Sequence, residues 1–600
     1  MLFRMESNFR LRAYAMGTIF FVLMTLILIR YAWISFFPTN LRLRLVNTGT
    51  KQFESSITIE QSRATIVDRY GRILSMSVPS TSIFLLPKRM PKNEEIMKKV
   101  ADQIGISFED MASFAKEKKN FVWLERHLSS DQMQKIGSLH RWQDFIGTLE
   151  EPKRVYPEKD IAAQLIGIVG SDGNGLEGVE KIYNSMLNTK PIKAQVMKDA
   201  RGQLVITSPS QAGRPEPTTP NLKLSLDLII QEFTQNALRA GVLHAKAESG
   251  SAIVMDVQTN EILAMASYPS YDLNTPPEND VEARRFHPIM DAIEVGSVVK
   301  PMWIAKALDL GVITPQTQVF AENGEMSLPG GKIHDTHKHG LLTPEEVLKF
   351  SSNIGAYKVV QKMGRDEFYK AFLAIGFDKV PGTGLPGEWG GHVQASDDWR
   401  EMRFANMAFG QGFAISPLQL IHGFSTVVGG GMMRNLSLLK ADPNAQEQTG
   451  SHRYVAAETS KTLAHMLESV VEEDGGTGAP ARIPGVLVAG KTGTAQVWSS
   501  VTHSYSERTP VFEGTFPADN PKIAIVVVLN KAGVRPAYGG PLAGPVFAEI
   551  GKKIVDYLNV RGIYSIPAYE NSYLQKKNKI LHSESNTPRD KEDDSSNEDF

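Results

Sequence analysis

From Ala13 to Ile29 the chain reads AYAMGTIFFVLMTLILI, with no charged side chain. In hydrocarbon a backbone must satisfy its own N–H and C=O groups, so such a run is restricted to a helix, near the short limit for crossing a bilayer. Arg30 interrupts the run and YAWISFF follows. Arg30 can snorkel toward the headgroups, and Tyr31, Trp33, Phe36 and Phe37 suit an interfacial aromatic belt. Arg4, Arg10 and Arg12 favour a cytoplasmic N-terminus, with Arg42 and Arg44 weighing against it. The apolar region is too long for a cleaved signal peptide, and no small-residue cleavage site follows. The expectation is a cytoplasmic segment over 1–12 and a single-pass anchor over 13–37. Nearly everything else then lies on the periplasmic or extracellular side of the cytoplasmic (inner) membrane.

The remaining sequence exceeds one hydrophobic core: 600 residues call for at least two domains. A net charge of -1 leaves no basic excess to neutralise phosphates, which excludes nucleic acid as a partner. The chain has no cysteine, which excludes a disulfide framework, thiolate zinc sites and cysteine catalysis. A region of short strand-like runs and helical stretches over 38–220 closes on the breaker-rich SPSQAGRPEPTTP, Ser208 to Pro220, which reads as a linker. From Asn221 the texture changes: NLKLSLD is strand-like, IIQEFTQNALRAGVL is an amphipathic helix, and GSAIVMDV and EILAMAS are strands around QTN. KIAIVVVLN is the last strand signal, followed by a helical PVFAEIGKKIVDYL. Strands at both ends of 221–560 and a helical middle predict an α+β domain, a sheet covered by helices. Beyond about Leu574 the chain turns polar and charged, and 561–600 is expected to be a C-terminal tail, largely disordered.

Within 221–560 three short motifs stand in order: Ser297-Val298-Val299-Lys300, Ser351-Ser352-Asn353 and Lys491-Thr492-Gly493-Thr494. In the first, serine and lysine three residues apart share a helix face, and Gly296 and Pro301 put Ser297 near the first turn. There the unsatisfied N–H groups favour developing negative charge. A serine hydroxyl needs a base to become nucleophilic. Lys300 can serve only when neutral, a state that burial and a second nearby cation promote. The second motif follows a signalled helix, with Thr343 as N-cap, Pro344 at the first position and Glu346 completing a capping box. Ser351 and Asn353 are expected on the loop after it, Ser351 to relay a proton to a departing amine and Asn353 to hold a substrate amide. KTGTAQVW reads as strand. Its edge can accept an extended peptide, with Lys491 charge and the Thr492 and Thr494 hydroxyls for a carboxylate. The N–H groups of Ser297 and Thr494 then suit an oxyanion hole.

These motifs resemble those of the penicillin-binding proteins, and the likeness is broad. SRATIVDRYGRIL, RVYPEKDIAAQLIGIVG and GLEGVEKIYNSML are similar to the N-terminal pedestal of class B members. AMASYPSYDLN, FANMAFGQGFAISPLQL and FPADNPKIAIVVVLN are similar to their transpeptidase domain. SSNIGAYKV and VLNKAG…YGGPLAGPVF resemble the division type more than the elongation type, which is the alternative within the class. The resemblance implies a pedestal (dimerisation-like) domain and a serine β-lactamase-like antiparallel sheet covered by helices. It implies a peptidoglycan D,D-transpeptidase of septal wall synthesis that needs no cofactor or metal. Ser297 is acylated by stem peptides ending in D-Ala-D-Ala or by β-lactams, Lys300, Ser351, Asn353 and Lys491 are catalytic, and Thr492, Gly493 and Thr494 bind substrate. It also implies a SEDS-family glycosyltransferase and other divisome membrane proteins as partners. The chain departs from the family's E-P-G before the nucleophile with Glu294-Val295-Gly296, and its S-x-x-K interior is Val-Val, leaving every chemical group in place.

Several other patterns point elsewhere. Gly485-x4-Gly490-Lys491-Thr492 matches a P-loop in form, but VLV occupies the phosphate-wrapping stretch and Gly493 stands where a helix begins. Gly173-x-Gly175-x-x-Gly178 mimics a dinucleotide fingerprint without a βαβ unit around it and reads as a pedestal turn. His334, His337 and His339 form a histidine cluster with no Glu-x-x-His or Cys partner and read as a surface loop. A β-lactamase shares the motifs but needs a deacylating base, for which no candidate appears. The non-enzymatic rival is a divisome scaffold acting through its span and pedestal, against which the retention of all three motifs argues.

Overall fold

The computed structural model describes residues 2–36, 54–59, 62–117, 121–188, 192–198, 204–205, 220–391, 393, 395–441, 450–499 and 503–562. The linker read over Ser208–Pro220 lies outside these apart from Pro220, as does the tail read over 561–600 apart from its first two residues. Leu2–Phe36 is one continuous helix, and within it Leu11–Phe36 is long and apolar enough to cross a membrane, with a mean hydropathy of 2.1. Its hydroxyls are satisfied locally. Thr18 Oγ1 donates to the Tyr14 carbonyl at 2.8 Å and Thr25 Oγ1 to that of Phe21 at 2.8 Å, so neither is left unpaired in an apolar medium.

The chain forms two compact units that interleave in sequence. One comprises 1–62, 79–152 and 189–219, the other 63–78, 153–188 and 220–600. The smaller has a core of Ile83, Leu85, Val100, Met111, Leu124 and Trp142. Over that core run helices Glu94–Ile104, capped by Asn93 and ended by left-handed Gly105, and Phe108–Lys116, capped by Ser107. The stretch over 38–220 contributes to both units, and buried charges hold part of it in the larger one. Arg63 Nε and Arg154 Nε both donate to the fully buried Glu180, at 2.6 and 2.8 Å, and Ser75 Oγ adds a third bond at 3.0 Å. Ile66 and Val67 pair in parallel with Leu222 and Lys223, and Arg72 meets Asp227 at 2.6 Å. RATIVDRYGRIL and RVYPEKDIAAQLIG are therefore bound into the larger unit by pairing and charge.

The larger unit is built on a five-stranded antiparallel sheet. Its elements, in chain order, are α1 (Leu228–Ala245), β1 (Ser249–Asp256), β2 (Ile262–Tyr268), α2 (Lys300–Asp309), the hairpin β3 (Glu325–Leu328) and β4 (Gly331–His334), α3 (Pro344–Lys349), α4 (Asn353–Met363), α5 (Pro417–Val428), α6 (Ala457–Glu472), β5 (Ala489–Ser499), β6 (Ser504–Phe516), β7 (Ile523–Asn530) and α7 (Gly539–Val560). Sheet order is β2-β1-β7-β6-β5, so β5 is an edge strand. Every residue of β1 is buried, as are Ile523–Leu529 of β7, because both faces are covered. Gly250 and Gly514 mark the face under α1 and α7: a Cβ at Gly250 would meet Val242 at 2.6 Å, and one at Gly514 would meet Phe547 at 2.9 Å. The opposite face receives α5 and the turn before α2.

The Glu180 hub gives a stability prediction. Glu180→Ala leaves Arg63 and Arg154 buried without their carboxylate, and removal of one partner from such a network costs about 3–5 kcal/mol. Denaturant unfolding of the larger unit should show that loss. A change within measurement error would mean that the cations are satisfied by their remaining carbonyl and amide bonds.

Candidate active site

The turn carrying Ser297 is held from three sides. Gly296–Val299 forms a 3-10 turn that runs into α2, and Pro301 takes the first helical turn, where its missing N–H costs nothing. Val298, Val299 and Met302 are fully buried, and Trp303 is stacked on Phe372 and set edge-on to Phe368, with centroids 5.9 and 4.9 Å apart. Gly296 adopts φ +64, a left-handed conformation that favours glycine, and a Cβ there would lie 3.1 Å from the Thr494 carbonyl. Its N–H donates to the Gly410 carbonyl at 3.0 Å, and Glu294 accepts from Gly412 N at 3.1 Å. Ser297 itself remains half-buried.

The capping box of α3 forms as expected: Thr343 Oγ1 accepts from Glu346 N and the Glu346 carboxylate from Thr343 N. After it, Ser351 stands at φ +59, a strained conformation for a non-glycine residue of the kind that collects at functional sites. Asn353 is the first residue of α4 rather than part of a loop. What starts that helix is Asp335, just past β4. Its carboxylate accepts from Asn353 N at 2.5 Å, Ile354 N at 3.1 Å and Ser352 Oγ at 2.5 Å, while Ser352 caps Gly355 N at 2.8 Å. The carboxylate thus takes up helix N–H groups that have no partner within the helix. Asp335 is inconspicuous in the sequence because it sits in HDTHKH, a stretch whose histidines carry the visible signal.

Lys300 and Lys491 converge on Ser351. Lys300 Nζ donates to the Ser351 carbonyl at 2.6 Å, to Asn353 Oδ1 at 2.9 Å and, at a long 3.5 Å, to Ser351 Oγ. Lys491 Nζ donates to Ser351 Oγ at 3.0 Å and to the Thr492 carbonyl at 2.9 Å. Neither lysine is exposed to solvent. Burial pushes the Lys300 amine well below the usual lysine range; the Lys491 charge pushes it further and Asp335 opposes. Burial also lowers Lys491, to about 7, with Glu513 opposing. Asn353 spends its amide on these partners, Oδ1 on Lys300 and Nδ2 on the His334 carbonyl at 2.9 Å.

Strand alternation distributes the third motif. Lys491 and Gly493 face the Ser297 turn, where a Cβ at Gly493 would meet Val298 at 2.8 Å and the Val295 carbonyl at 2.9 Å. Thr492 is turned to the other face, its Oγ1 bonded to Thr477 Oγ1 at 2.8 Å, and Thr494 Oγ1 accepts from Gly539 N at 3.3 Å. The structure therefore brings Lys300, Ser351, Asn353 and Lys491 together, sets the Ser297 turn against β5, and engages both threonine hydroxyls with Thr477 and Gly539. Thr477 carries no signal in the sequence. The P-loop-like Gly490-Lys491-Thr492 lies inside β5, with no helix start to hold a phosphate. Of the histidines, His334 lies 3.5 Å from Glu325 and His339 stacks on Phe350 at 4.6 Å.

A family model described as penicillin binding protein transpeptidase domain matches residues 250–552, and one described as penicillin-binding protein dimerisation domain matches 58–217. The peptidoglycan D,D-transpeptidase FtsI of Escherichia coli (strain K12) is 32% identical over 541 residues, covering 88% of this chain and 89% of that protein. The TP domain of Burkholderia pseudomallei penicillin-binding protein 3 superposes with a TM-score of 0.52 at 33% identity, covering 57% of this chain and 97% of that one. A peptidoglycan synthetase from Bifidobacterium adolescentis shares the fold, with a TM-score of 0.64 at 21% identity over 86% of this chain and all (100%) of that one.

The lysine geometry sets a pH dependence. A buried amine acts as base only after losing its proton, so covalent labelling by a β-lactam should rise with pH through a midpoint well below the 10.5 of an ordinary lysine. Asp335→Asn removes a carboxylate that raises the Lys300 value and should move this limb to lower pH, measured from labelling rates across a pH series. An unmoved limb would show that Asp335 has no electrostatic hold on Lys300.

Proposed function

Because the chain belongs to the FtsI-type peptidoglycan D,D-transpeptidases of the penicillin-binding protein family, we propose that Ser297 is its acylated nucleophile and that the two buried lysines divide the work of base and anchor. A septal role and covalent penicillin binding are consistent with that family. The observation that carries the residue assignment is the convergence of Lys300 and Lys491 on Ser351.

Neutral Lys300 takes the proton of Ser297 Oγ as that oxygen attacks the carbonyl of the penultimate D-Ala of a stem peptide. The Ser297 and Thr494 N–H groups hold the oxyanion, a role supported by the close approach of Gly296 and Gly493 between turn and strand. Collapse breaks the peptide bond. The terminal D-Ala leaves as an amine, its nitrogen protonated through Ser351, which is hydrogen-bonded to Lys491 and lies beside Lys300. The amine of a second stem peptide then attacks the ester, forming the crosslink and returning the proton to Ser297. Cationic Lys491 anchors the donor's terminal carboxylate along β5, which among the described residues is an edge strand able to pair with an extended peptide. In a β-lactam the amine released on ring opening stays tethered, so the ester persists.

Residues 38–220 act as pedestal and 221–560 as transpeptidase domain. The apolar helix and the FtsI relatives fit a single-pass inner membrane protein, and Arg4, Arg10 and Arg12 support a cytoplasmic N-terminus with the catalytic unit outside. A SEDS-family glycosyltransferase and other divisome proteins are the partners this reading assigns to the anchor and pedestal.

Ser297→Ala should abolish covalent labelling by a fluorescent penicillin in a protein whose melting curve is unchanged; persistent labelling would overturn the assignment. Lys300→Ala should slow acylation by on the order of 10²–10⁴ at neutral pH, and a near-normal rate would show that another base acts. A form beginning at Arg42 should stay acylable yet fail to support division in a depletion strain. Growth on that form would reduce the helix to an export signal.

A further inference from the structure

Directly across from Lys491 in the β5–β6 register stands Glu513. Its side chain has no solvent exposure, and neither carboxylate oxygen has a hydrogen-bond partner. An isolated buried carboxylate is costly, whereas an apolar side chain of the same volume carries no such penalty. No step of the proposed reaction touches it. Alternation puts it on the same face as Lys491, beneath the Ser297 turn rather than beneath α7.

The charged groups around this pair are few. Lys300 reaches the site from α2, and Lys306 of the same helix is turned away onto Asp309 and the Tyr454 carbonyl. Past β4, Asp335 faces Lys300. From α5 comes only His422, which burial holds near 4 and which bonds the Arg434 carbonyl. The α6 helix turns Glu472 onto Val488 N at 3.0 Å. The acids and bases of α7, among them the Glu549–Lys553 pair, lie across the sheet. Lys491 and Glu513 are thus each other's principal charge: each opposes the effect of burial on the other.

Two fully buried amines flanking one serine hydroxyl cannot both hold a proton cheaply, and the reaction needs them in opposite states. Lys300 must be neutral to accept from Ser297, and Lys491 must be cationic to anchor a carboxylate. Both lysines have an acidic neighbour, but the two acids are not equivalent. Asp335 accepts two backbone N–H bonds and one from Ser352, so much of its charge is already compensated. Glu513 accepts none among the described residues; burial raises its carboxyl well above the usual carboxylate range, and the Lys491 charge opposes that rise. We propose that Glu513 is a positioning residue whose carboxylate keeps the proton on Lys491. This rests on the proposed function and adds a residue to it that acts only through Lys491.

The sign of the effect is fixed. Without the carboxylate, Lys491 gives up its proton at lower pH, so anchoring of a carboxylate-bearing donor fades earlier as pH rises. For full-length Glu513→Gln in detergent, the basic limb of penicillin acylation should move down in pH. Once the limb lies below neutral pH, the saturation constant for penicillin should weaken there by about tenfold for each further pH unit of that movement, with the maximal acylation rate constant retained. Glu513→Asp, which keeps the charge, should restore the limb. Glu513→Met, apolar and similar in size, should fold and behave as Glu513→Gln does. A folded Gln or Met variant with an unmoved limb overturns the inference, as does a lost maximal rate with unchanged saturation. Wild-type labelling at Ser297 tests the function separately, since it is indifferent to where the Glu513 limb lies.

Discussion

The site depends on two amines held out of water around one serine hydroxyl. Lys300 and Lys491 approach Ser351 from different elements, α2 and β5, and both are inaccessible to solvent. Desolvation lowers both, and each cation raises the cost of the other. A surface lysine would remain protonated and could not take a proton from serine at neutral pH. The architecture is therefore one that excludes water from a pair of lysine side chains while leaving Ser297 half-buried.

Several structural choices follow from that requirement. Glycines at 296 and 493 let the Ser297 turn approach the edge strand where a Cβ would meet backbone or Val298. The aromatic packing of Trp303 against Phe368 and Phe372 fixes α2 and with it Lys300. The β3–β4 hairpin brings Asp335 to the start of α4, which orients Ser352 and Asn353 and supports Ser351 in its left-handed conformation. Burial of the sheet on both faces supplies the low-dielectric surroundings in which these charges act strongly.

Much of this is legible in the sequence because it is local. The α3 capping box, the turn set by Gly296 and Pro301, the strand character of KTGTAQVW and the apolar anchor each follow from residues a few positions apart. The need for a buried, neutral Lys300 follows from chemistry alone. What stays hidden is long-range. Asp335 acts on residues 17 to 19 positions away, and Glu513 faces Lys491 only through a strand register. The Arg63–Glu180–Arg154 network within the larger unit joins residues 117 apart in one case and 26 in the other. Asn353 looks like a loop residue in the sequence because its helix is started by an acid from a distant hairpin. Thr492 looks ligand-facing because residue type alone does not reveal which side of the strand it takes.

The protonation state of Lys300 tests the central claim most directly. It can be read from the 15Nζ resonance of the lysine-labelled protein, assigned by its loss in Lys300→Arg and followed across a pH titration. The arrangement predicts an amine that titrates well below the 10.5 of an ordinary lysine. A Lys300 signal that remains ammonium until close to that ordinary value would contradict the account.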